Sequence, residues 1–352
     1  MLIPALVALL WMGAGSAKAH FGERTDSLWG FVARSDLVVI GSVARAYQEE
    51  DKGHTPSPGV VRLHVDEVLL GTSAPQIGIV VPGMHQPRYA PGEQVLVFAE
   101  RSNGIVRSLQ SRSEKVSVAG AVDPAVDAVR RYVRIAALKD GSLRAEQLKE
   151  FTLELLASTA PRLHQDAVFD LSRDRFSDSM LTDPEIRRVG SLALGEGTPL
   201  VVREGIAAKL GKLVARGRSA ALDPLARLTV EPANAIVRVA ALNALGGSGA
   251  AGVEDTIRAS IDHDDVYVRL AAVEALSRLR TREAVPAILS RVGDSDRRVR
   301  FASLRALYRI GGPEAEAALR EIEANASIED RQLIAQAAAR EREPAKETKG
   351  TR

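Results

Sequence analysis

The chain has 352 residues, of which 45% are hydrophobic, 26% are charged and 4% are aromatic. This length accommodates two ordinary domains or one long repeat array, and this composition is typical of a folded protein rather than a disordered one. The 47 basic and 45 acidic side chains leave a net charge of +2, without the concentrated positive charge of a nucleic-acid-binding protein, so nucleic acid is not an expected partner.

Residues 1–19 are predicted to be a signal peptide. Leu2–Met12 form an apolar run that is too short to span a bilayer. Ala17-Lys18-Ala19 fits an A-x-A cleavage site, which would leave His20 as the mature N-terminus. No basic residue precedes the apolar run, so an uncleaved anchor or a buried N-terminal helix is the alternative. We therefore expect a periplasmic or secreted protein with no membrane span after cleavage.

Residues 20–122 are predicted to form a small β-barrel. Between Val61 and Asp66 apolar and polar residues alternate, which is the period of a half-buried strand and makes His64 an outward-facing residue. Turn residues separate the runs, as at Pro91-Gly92. Five short β-rich runs are found, at 37–43, 61–65, 77–81, 95–99 and 105–109. This number and spacing favour a closed or nearly closed barrel.

Three segments of this region resemble the OB-fold domain of bacterial proteins similar to tissue inhibitors of metalloproteinases. They are Ser35–Val43, Val65–Gly71 and Pro91–Phe98, within residues 30–118. The resemblance implies an OB-like barrel with a binding role, and it makes metalloprotease inhibition an alternative function. In those inhibitors an N-terminal cysteine approaches the protease zinc, whereas this chain contains no cysteine.

Residues 123–341 are predicted to form an α-solenoid, because the sequence repeats every 31 residues over much of this region. An arginine recurs at this spacing, and a residue type that caps helix N-termini stands four positions before it. The arginines are Arg238, Arg269, Arg300 and Arg331, with Arg203 in a looser upstream repeat. The capping residues are Asn234, Asp265, Asp296 and Ser327.

This pattern resembles HEAT repeats of the short bacterial kind, which are also found in phycobilin lyases. A long amphipathic helix is predicted from Val266 to Leu279, and a shorter one over 284–292. Glycine pairs at 246–247 and 311–312 are expected to end two long helices. Upstream, 146–157 and 164–171 are expected to be a degenerate helix pair, with the register before residue 200 open. Residues 342–352 are predicted to be a disordered tail.

No catalytic residue, cofactor site or metal site is predicted. The absence of cysteine excludes disulfides, thiolate catalysis and cysteine-ligated zinc. We interpret the repeated arginines as structural residues that bond to carboxylates and helix termini of adjacent repeats, with a ligand-binding row as the alternative. The aspartates at 166, 170, 174 and 178 are interpreted as a solvated, salt-bridged helix face, because the loop of a calcium-binding EF-hand is missing. Copper binding by His20 at a mature N-terminus is a further alternative.

The sequence thus predicts an α+β multidomain protein, an OB-like barrel followed by a HEAT-type α-solenoid. We expect an exported, non-catalytic scaffold whose solenoid binds one or more proteins on its concave surface, with the barrel as a second contact. Metalloprotease inhibition by the barrel is the first alternative, and a chromophore-lyase-like enzyme is the second. The partner, the oligomeric state and the domain orientation stay open.

Overall fold

The computed structural model describes residues 26–45, 59–81, 88–110, 114–119, 123–172, 181–232 and 234–342. The chain divides into two compact units, Met1–Asp170 and Leu171–Arg352. The predicted signal peptide and His20 lie outside the described residues, as do residues 343–352 of the predicted tail. Arg342, the first residue of that predicted tail, is the last residue of a helix.

The first unit contains the predicted barrel. Its strands are β1 (Leu37–Arg45), β2 (Gly59–Leu70), β3 (Gln76–Val81), β4 (Gln94–Ser102), β5 (Ile105–Ser108) and β6 (Val116–Ser117). The order β1-β2-β3-β5-β4, with β4 pairing back to β1, closes a five-stranded barrel, and β6 adds to β4. β3 and β5 are parallel, whereas the other pairs are antiparallel. The predicted OB-like barrel is confirmed.

Strands β1 and β4 are buried on both faces. Their inward residues, such as Val39 and Val97, belong to the apolar core of the barrel. On the opposite face of β4, Phe98 stacks on Phe31 with 5.4 Å between ring centroids. Phe31 lies on α1 (Leu28–Arg34), which begins at the N-cap Ser27. Helix α1 therefore covers a strand face that would otherwise be exposed apolar surface.

Three further helices complete the first unit, α2 (Pro124–Ala136), α3 (Gly141–Leu155) and α4 (Pro161–Ser172), of which α4 has its last two residues in the second unit. The fully buried Tyr132 of α2 contacts two aromatic rings, Trp29 of α1 at 5.8 Å and Phe151 of α3 at 4.9 Å. Arg130 of α2 pairs with Glu67 of β2 at 2.6 Å. Because of these contacts the barrel's compact unit extends past the predicted domain boundary between residues 122 and 123.

The predicted solvated aspartate face on α4 is wrong for the two aspartates that the structure describes. Asp166 and Asp170 are both 0% exposed. Asp166 accepts a hydrogen bond from Arg162 Nε at 3.1 Å, and Asp170 accepts one from Ser27 Oγ at 2.6 Å. A buried carboxylate needs such partners, because it loses its hydration. The aspartates at 174 and 178 lie outside the described residues.

The second unit is a two-layer array of helices, which confirms the predicted solenoid. Helices α6, α8, α10, α12 and α14 pack against one another in series and form what we call the long-helix layer. Helices α7, α9, α11 and α13 alternate with them along the chain and form the second layer. The helices are α5 (Asp183–Leu194), α6 (Leu200–Ala215), α7 (Leu222–Leu228), α8 (Ala235–Ser248), α9 (Glu254–Arg258), α10 (Val266–Leu279), α11 (Val285–Leu289), α12 (Arg297–Ile310), α13 (Gly312–Asn325) and α14 (Ile328–Arg342).

Side-chain caps fix where four of the long helices begin. The side chains of Asn234, Asp265 and Asp296 accept hydrogen bonds from backbone N–H groups in the first turns of α8, α10 and α12. Ser327 Oγ accepts one from the backbone N–H of Asp330 in α14. Each cap satisfies an N–H group that has no partner within the helix.

The glycine pair at 246–247 does not end α8, contrary to the prediction. The helix continues to Ser248 and ends at Gly249, whose φ of +65° is a left-handed conformation. Gly246 instead permits close packing, because an added Cβ atom would lie 2.5 Å from the Cα atom of Ala275 in α10. At the other predicted pair, Gly311 has a φ of +63° and ends α12 as expected.

Candidate binding surface

The repeated arginine Arg269 forms a bidentate ion pair with Asp294. Nε and Nη2 of Arg269 lie 2.9 and 3.0 Å from the two carboxylate oxygens, and Nη1 donates to the carbonyl oxygens of His263 and Asp264. The side chains are only 12% and 3% exposed. Burial alone would raise the pKa of Asp294, but the hydrogen bond from Arg269 and that from the Asp296 backbone outweigh it, so this pKa lies below its usual value.

Three other repeated arginines donate to backbone carbonyl oxygens close in sequence. The donor–acceptor distances are 2.8 Å from Arg203 to Ala193, 2.6 Å from Arg238 to Pro232 and 2.9 Å from Arg300 to Asp294. These carbonyls lie at or after helix C-termini, where backbone acceptors lack intrahelical partners. Arg331 differs, because within the described part of the chain its exposed side chain has neither a hydrogen bond nor an ion pair.

A polar cleft of about 320 Å³ opens beside this arginine column. Its charged groups largely bind one another. Arg291 pairs with Asp262 at 2.8 Å and lies 3.6 Å from Asp294, which already holds Arg269. Among the described residues there is no cluster of three acidic or histidine side chains that could hold a metal ion. The contacts in this cleft join adjacent repeats.

A different set of residues forms a continuous exposed surface on the long-helix layer. Residues four, seven and eleven positions after a starting residue share one face of a helix. In each of four successive helices most members of such a stripe are exposed or half-buried, and the two buried members are Ala271 and Ala302, at 6% and 5% exposure. We call the sum of these stripes the long-helix face. It consists of Val201, Gly205, Ala208 and Lys212 of α6, Ile236, Ala240, Asn243 and Gly247 of α8, Tyr267, Ala271, Glu274 and Arg278 of α10, and Arg298, Ala302, Arg305 and Arg309 of α12.

Side-chain contacts join the stripes of three neighbouring helices of this face. Arg278 Nη1 donates to Asn243 Oδ1 at 3.0 Å, which joins α10 to α8. Arg298 Nη1 donates to the Tyr267 hydroxyl at 3.3 Å, with the guanidinium 4.9 Å from the ring centroid, which joins α12 to α10. Arginine and tyrosine are the residue types that dominate the energy of protein–protein interfaces.

Helix α12 gives one end of the face a surplus of positive charge. It contains five arginines and no acidic residue. Arg305 and Arg309 both donate to Glu341 of α14, with Nη2–Oε1 distances of 2.7 and 2.8 Å. Burial would raise the pKa of Glu341, but these two guanidinium groups outweigh it and keep the pKa below its usual value. One carboxylate neutralises only one of the two cations.

Arg298, the third arginine of α12 on the face, is bound to the helix cap. Its Nη2 lies 2.8 Å from Asp296 Oδ2. The hydrogen bond from Arg298 lowers the pKa of Asp296 to about 2. Arg298 is nevertheless 43% exposed, so a partner molecule can reach it.

An acidic residue that pairs with no described cation borders the opposite end of the face. Glu204 of α6 adjoins Gly205 and is half-buried. Burial raises the pKa of Glu204, and no described residue forms an ion pair or hydrogen bond with its carboxylate. Its neighbour in this stretch of α6, Val201, is 43% exposed. Acidic and basic groups therefore lie at opposite ends of one surface.

The sequence prediction singled out the repeated arginines, and the structure places four of them, all but Arg331, in contacts between or within repeats. The residues that vary from repeat to repeat, such as Tyr267 and Arg305, were not predicted. A signal for them was present: Arg297–Ile310 contains five arginines without a carboxylate, and Glu204 lies in an otherwise apolar stretch of α6.

Comparison with known proteins identifies the repeats. Residues 253–339, from the start of α9 into α14, match the family model of HEAT repeats. The protein thus combines a five-stranded closed barrel with a helical array that contains HEAT repeats. No curated protein matches the sequence. None of the described helices is long and apolar enough to cross a membrane.

Three solved structures are similar to this chain at low identity. A chain of the complex of CpcE and CpcF of phycocyanin lyase from Nostoc sp. PCC7120 is 22% identical, with 53% of this chain and 74% of that chain covered and a TM-score of 0.37. An engineered protein is 19% identical, with 54% of this chain and 94% of that chain covered and a TM-score of 0.35. Human deoxyhypusine hydroxylase in complex with glycerol is 17% identical, with 62% of this chain and 85% of that chain covered and a TM-score of 0.30. At these TM-scores the likenesses support no conclusion about function.

Proposed function

We propose that the protein is an exported, non-catalytic scaffold that binds a protein partner through the long-helix face. The observation that carries this proposal is the contact between the exposed Arg298 and the half-buried Tyr267, on a surface that spans four helices and also carries the exposed Arg278. Helical repeats expose extended surfaces of this kind, and interfaces are enriched in these residue types.

The non-catalytic part of the proposal is supported by the structural contacts of the acidic groups whose pKa values are lowered. Asp294 holds Arg269 and the backbone N–H of Asp296, and Asp296 in turn caps α12. Glu341 holds two arginines of α12. Ion-pair networks of this type shift pKa values without any role in catalysis.

The export part of the proposal rests on the apolar run and the A-x-A site within residues 1–19. Expression of the full chain in a bacterial host, followed by fractionation and N-terminal sequencing, tests it. We expect a periplasmic or secreted product that begins at His20. A product that stays in the cytoplasm with residues 1–19 intact would refute export and leave partner binding to be tested separately.

The binding proposal is tested by affinity capture on the mature protein, residues 20–352, from envelope and secreted fractions. Three baits are compared, the wild type, Arg298→Ala and Arg297→Ala. Both arginines are exposed and adjacent in sequence, but only Arg298 belongs to the long-helix face. We expect a protein that is captured by the wild type and Arg297→Ala and that is lost with Arg298→Ala.

Circular dichroism on the same preparations shows whether each bait is folded. Equal capture by folded Arg298→Ala and wild type would refute the assignment of binding to this face. Capture that depends on residues before 171 would instead favour binding by the barrel unit, the surface on which the metalloprotease-inhibitor alternative depends.

A further inference from the structure

We propose that the partner segment bound by the long-helix face has separated charges, with a basic side chain over α6, acidic side chains over α12 and apolar side chains between them. This inference rests on the proposed function and names the chemistry of the partner.

The acidic end of the partner is inferred from α12. Arg305 and Arg309 share the single carboxylate of Glu341, and both arginine side chains remain partly exposed, at 23% and 25%. The guanidinium of Arg305 also lies 5.8 Å from the ring centroid of Phe301, which holds it in a defined direction. A second carboxylate beside Glu341 would neutralise the remaining charge and accept charge-assisted hydrogen bonds.

The basic end of the partner is inferred from Glu204. A half-buried carboxylate has lost part of its hydration, and here no described cation compensates for the loss. An ammonium or guanidinium group supplied by a partner would remove this cost. Lys212, the basic residue of α6 on the same face, is already engaged, because its Nζ donates to the carbonyl oxygen of Ser172 at 2.7 Å.

The apolar middle is inferred from α8 and α10. Ile236 and Tyr267 occupy equivalent positions on these two helices and are partly exposed, and the two charged residues of the α10 stripe, Glu274 and Arg278, pair with each other at 3.3 Å. One turn further along the helices, four positions after Val201, Ile236 and Tyr267, the face has small side chains at Gly205, Ala240 and the buried Ala271. A peptide chain that crosses the helices can therefore approach their backbones closely and cover apolar surface on Ile236 and Tyr267.

The helix spacing sets the length of the segment. Packed helices lie about 8–10 Å apart, so the three intervals from α6 to α12 span about 24–30 Å. An extended chain advances about 3.3 Å per residue, so about eight residues separate the basic and the acidic group of the partner.

The test uses two fluorescein-labelled synthetic peptides of identical composition and the mature protein, with fluorescence anisotropy as the readout. The separated peptide has two lysines at one end, two glutamates at the other and eight residues of leucine, valine and serine between them. In the mixed peptide the same lysines and glutamates alternate along the sequence. We expect the separated peptide to bind about tenfold more tightly, and the difference to shrink at high salt.

Charge reversal at Glu204 gives a result that misfolding cannot imitate. Glu204→Lys should lower the affinity for the separated peptide about tenfold. It should raise the affinity for a third peptide that has glutamates at both ends. Glu321→Lys is the matched control, because Glu321 is an exposed glutamate of α13 outside the long-helix face. That variant should leave all three affinities unchanged.

Equal affinities for the separated and mixed peptides, or no binding of either, would overturn the proposal. Loss of self-association on Glu204→Lys, without peptide binding, would also overturn it and would identify a second copy of the chain as the occupant. Neither result would refute the scaffold proposal itself, because that proposal is tested by the capture experiment with Arg298→Ala and Arg297→Ala.

Discussion

At the residue scale, Gly246 shows how closely α8 and α10 pack. A Cβ atom at this position would lie 2.5 Å from Ala275 Cα, whereas a Cβ atom at Gly247 would meet nothing within 4 Å. We predict that Gly246→Ala destabilises the fold by about 1–3 kcal/mol, because the two helices must separate. Gly247→Ala should instead stabilise α8 by up to about 1 kcal/mol, because alanine favours a helix over glycine.

Urea unfolding followed by circular dichroism measures both glycine variants. If Gly246→Ala were as stable as Gly247→Ala, the close approach of α8 and α10 would be wrong.

Glu204 allows a prediction with a defined dependence on pH. Because burial raises the pKa of its carboxyl above the unfolded value, the group favours the folded state when it is protonated and loses that contribution as the pH rises through the folded pKa. Glu204→Gln should therefore stabilise the protein at neutral pH, by up to about 1 kcal/mol. The gain should vanish at about pH 3, where the wild-type carboxyl is protonated in both states.

Urea titrations of wild type and Glu204→Gln at the two pH values measure this difference. An equal gain in stability at both pH values would show that packing, and not charge, is responsible for the gain.

At the scale of elements, the start of α12 depends on Asp296. Its side chain accepts the backbone N–H of Arg298 and pairs with the Arg298 guanidinium. Asp296→Asn should keep the cap and lose the charge, at a cost of about 1 kcal/mol at neutral pH. Asp296→Ala should lose both and cost about 1–2 kcal/mol.

The charge contribution of Asp296 has its own pH window. Its pKa of about 2 in the folded protein lies below the usual value of 3.8 for aspartate, so the contribution is present above about pH 4 and is lost as the pH falls towards 2. The stability difference between wild type and Asp296→Asn, measured by urea unfolding, should therefore close over this interval. A difference that persists at pH 2 would show that the ion pair with Arg298 contributes nothing.

Elements with a local pattern were predictable, and elements defined by distant contacts were not. Alternation between Val61 and Asp66 gave β2, and the capping column gave the starts of α8, α10 and α12. The closure of β4 onto β1 and the packing of Tyr132 against Trp29 join residues far apart in sequence, which periodicity does not report. The repeat likewise identified the structural arginines and missed Glu204 and Arg305, because these two residues do not recur from repeat to repeat.

At the scale of the whole molecule, the unit boundary decides which fragments fold. A fragment that begins at residue 123 keeps Tyr132 and Phe151 but lacks Trp29, which covers Tyr132 in the full chain. A fragment of 181–342 begins at the capping box of Thr182 and Glu185 and retains the HEAT repeats. We predict that 181–342 unfolds cooperatively in urea, whereas 123–342 binds a hydrophobic dye and aggregates.

Circular dichroism and dye fluorescence on the two fragments distinguish these outcomes. Equal dye binding by both would contradict the assignment of α2 and α3 to the barrel unit.

The ion pair of Arg269 and Asp294 also bears on how the repeats assemble. Helices with the same 31-residue pattern can stack one repeat out of place during folding, since their apolar stripes are nearly interchangeable. The position of Asp294 is occupied by Pro232, His263 and Asn325 in the other repeats. A bidentate carboxylate is thus available to Arg269 in one alignment only, and a shifted alignment would leave a guanidinium buried without an anion. This single carboxylate distinguishes the native order of the repeats from its slipped neighbours.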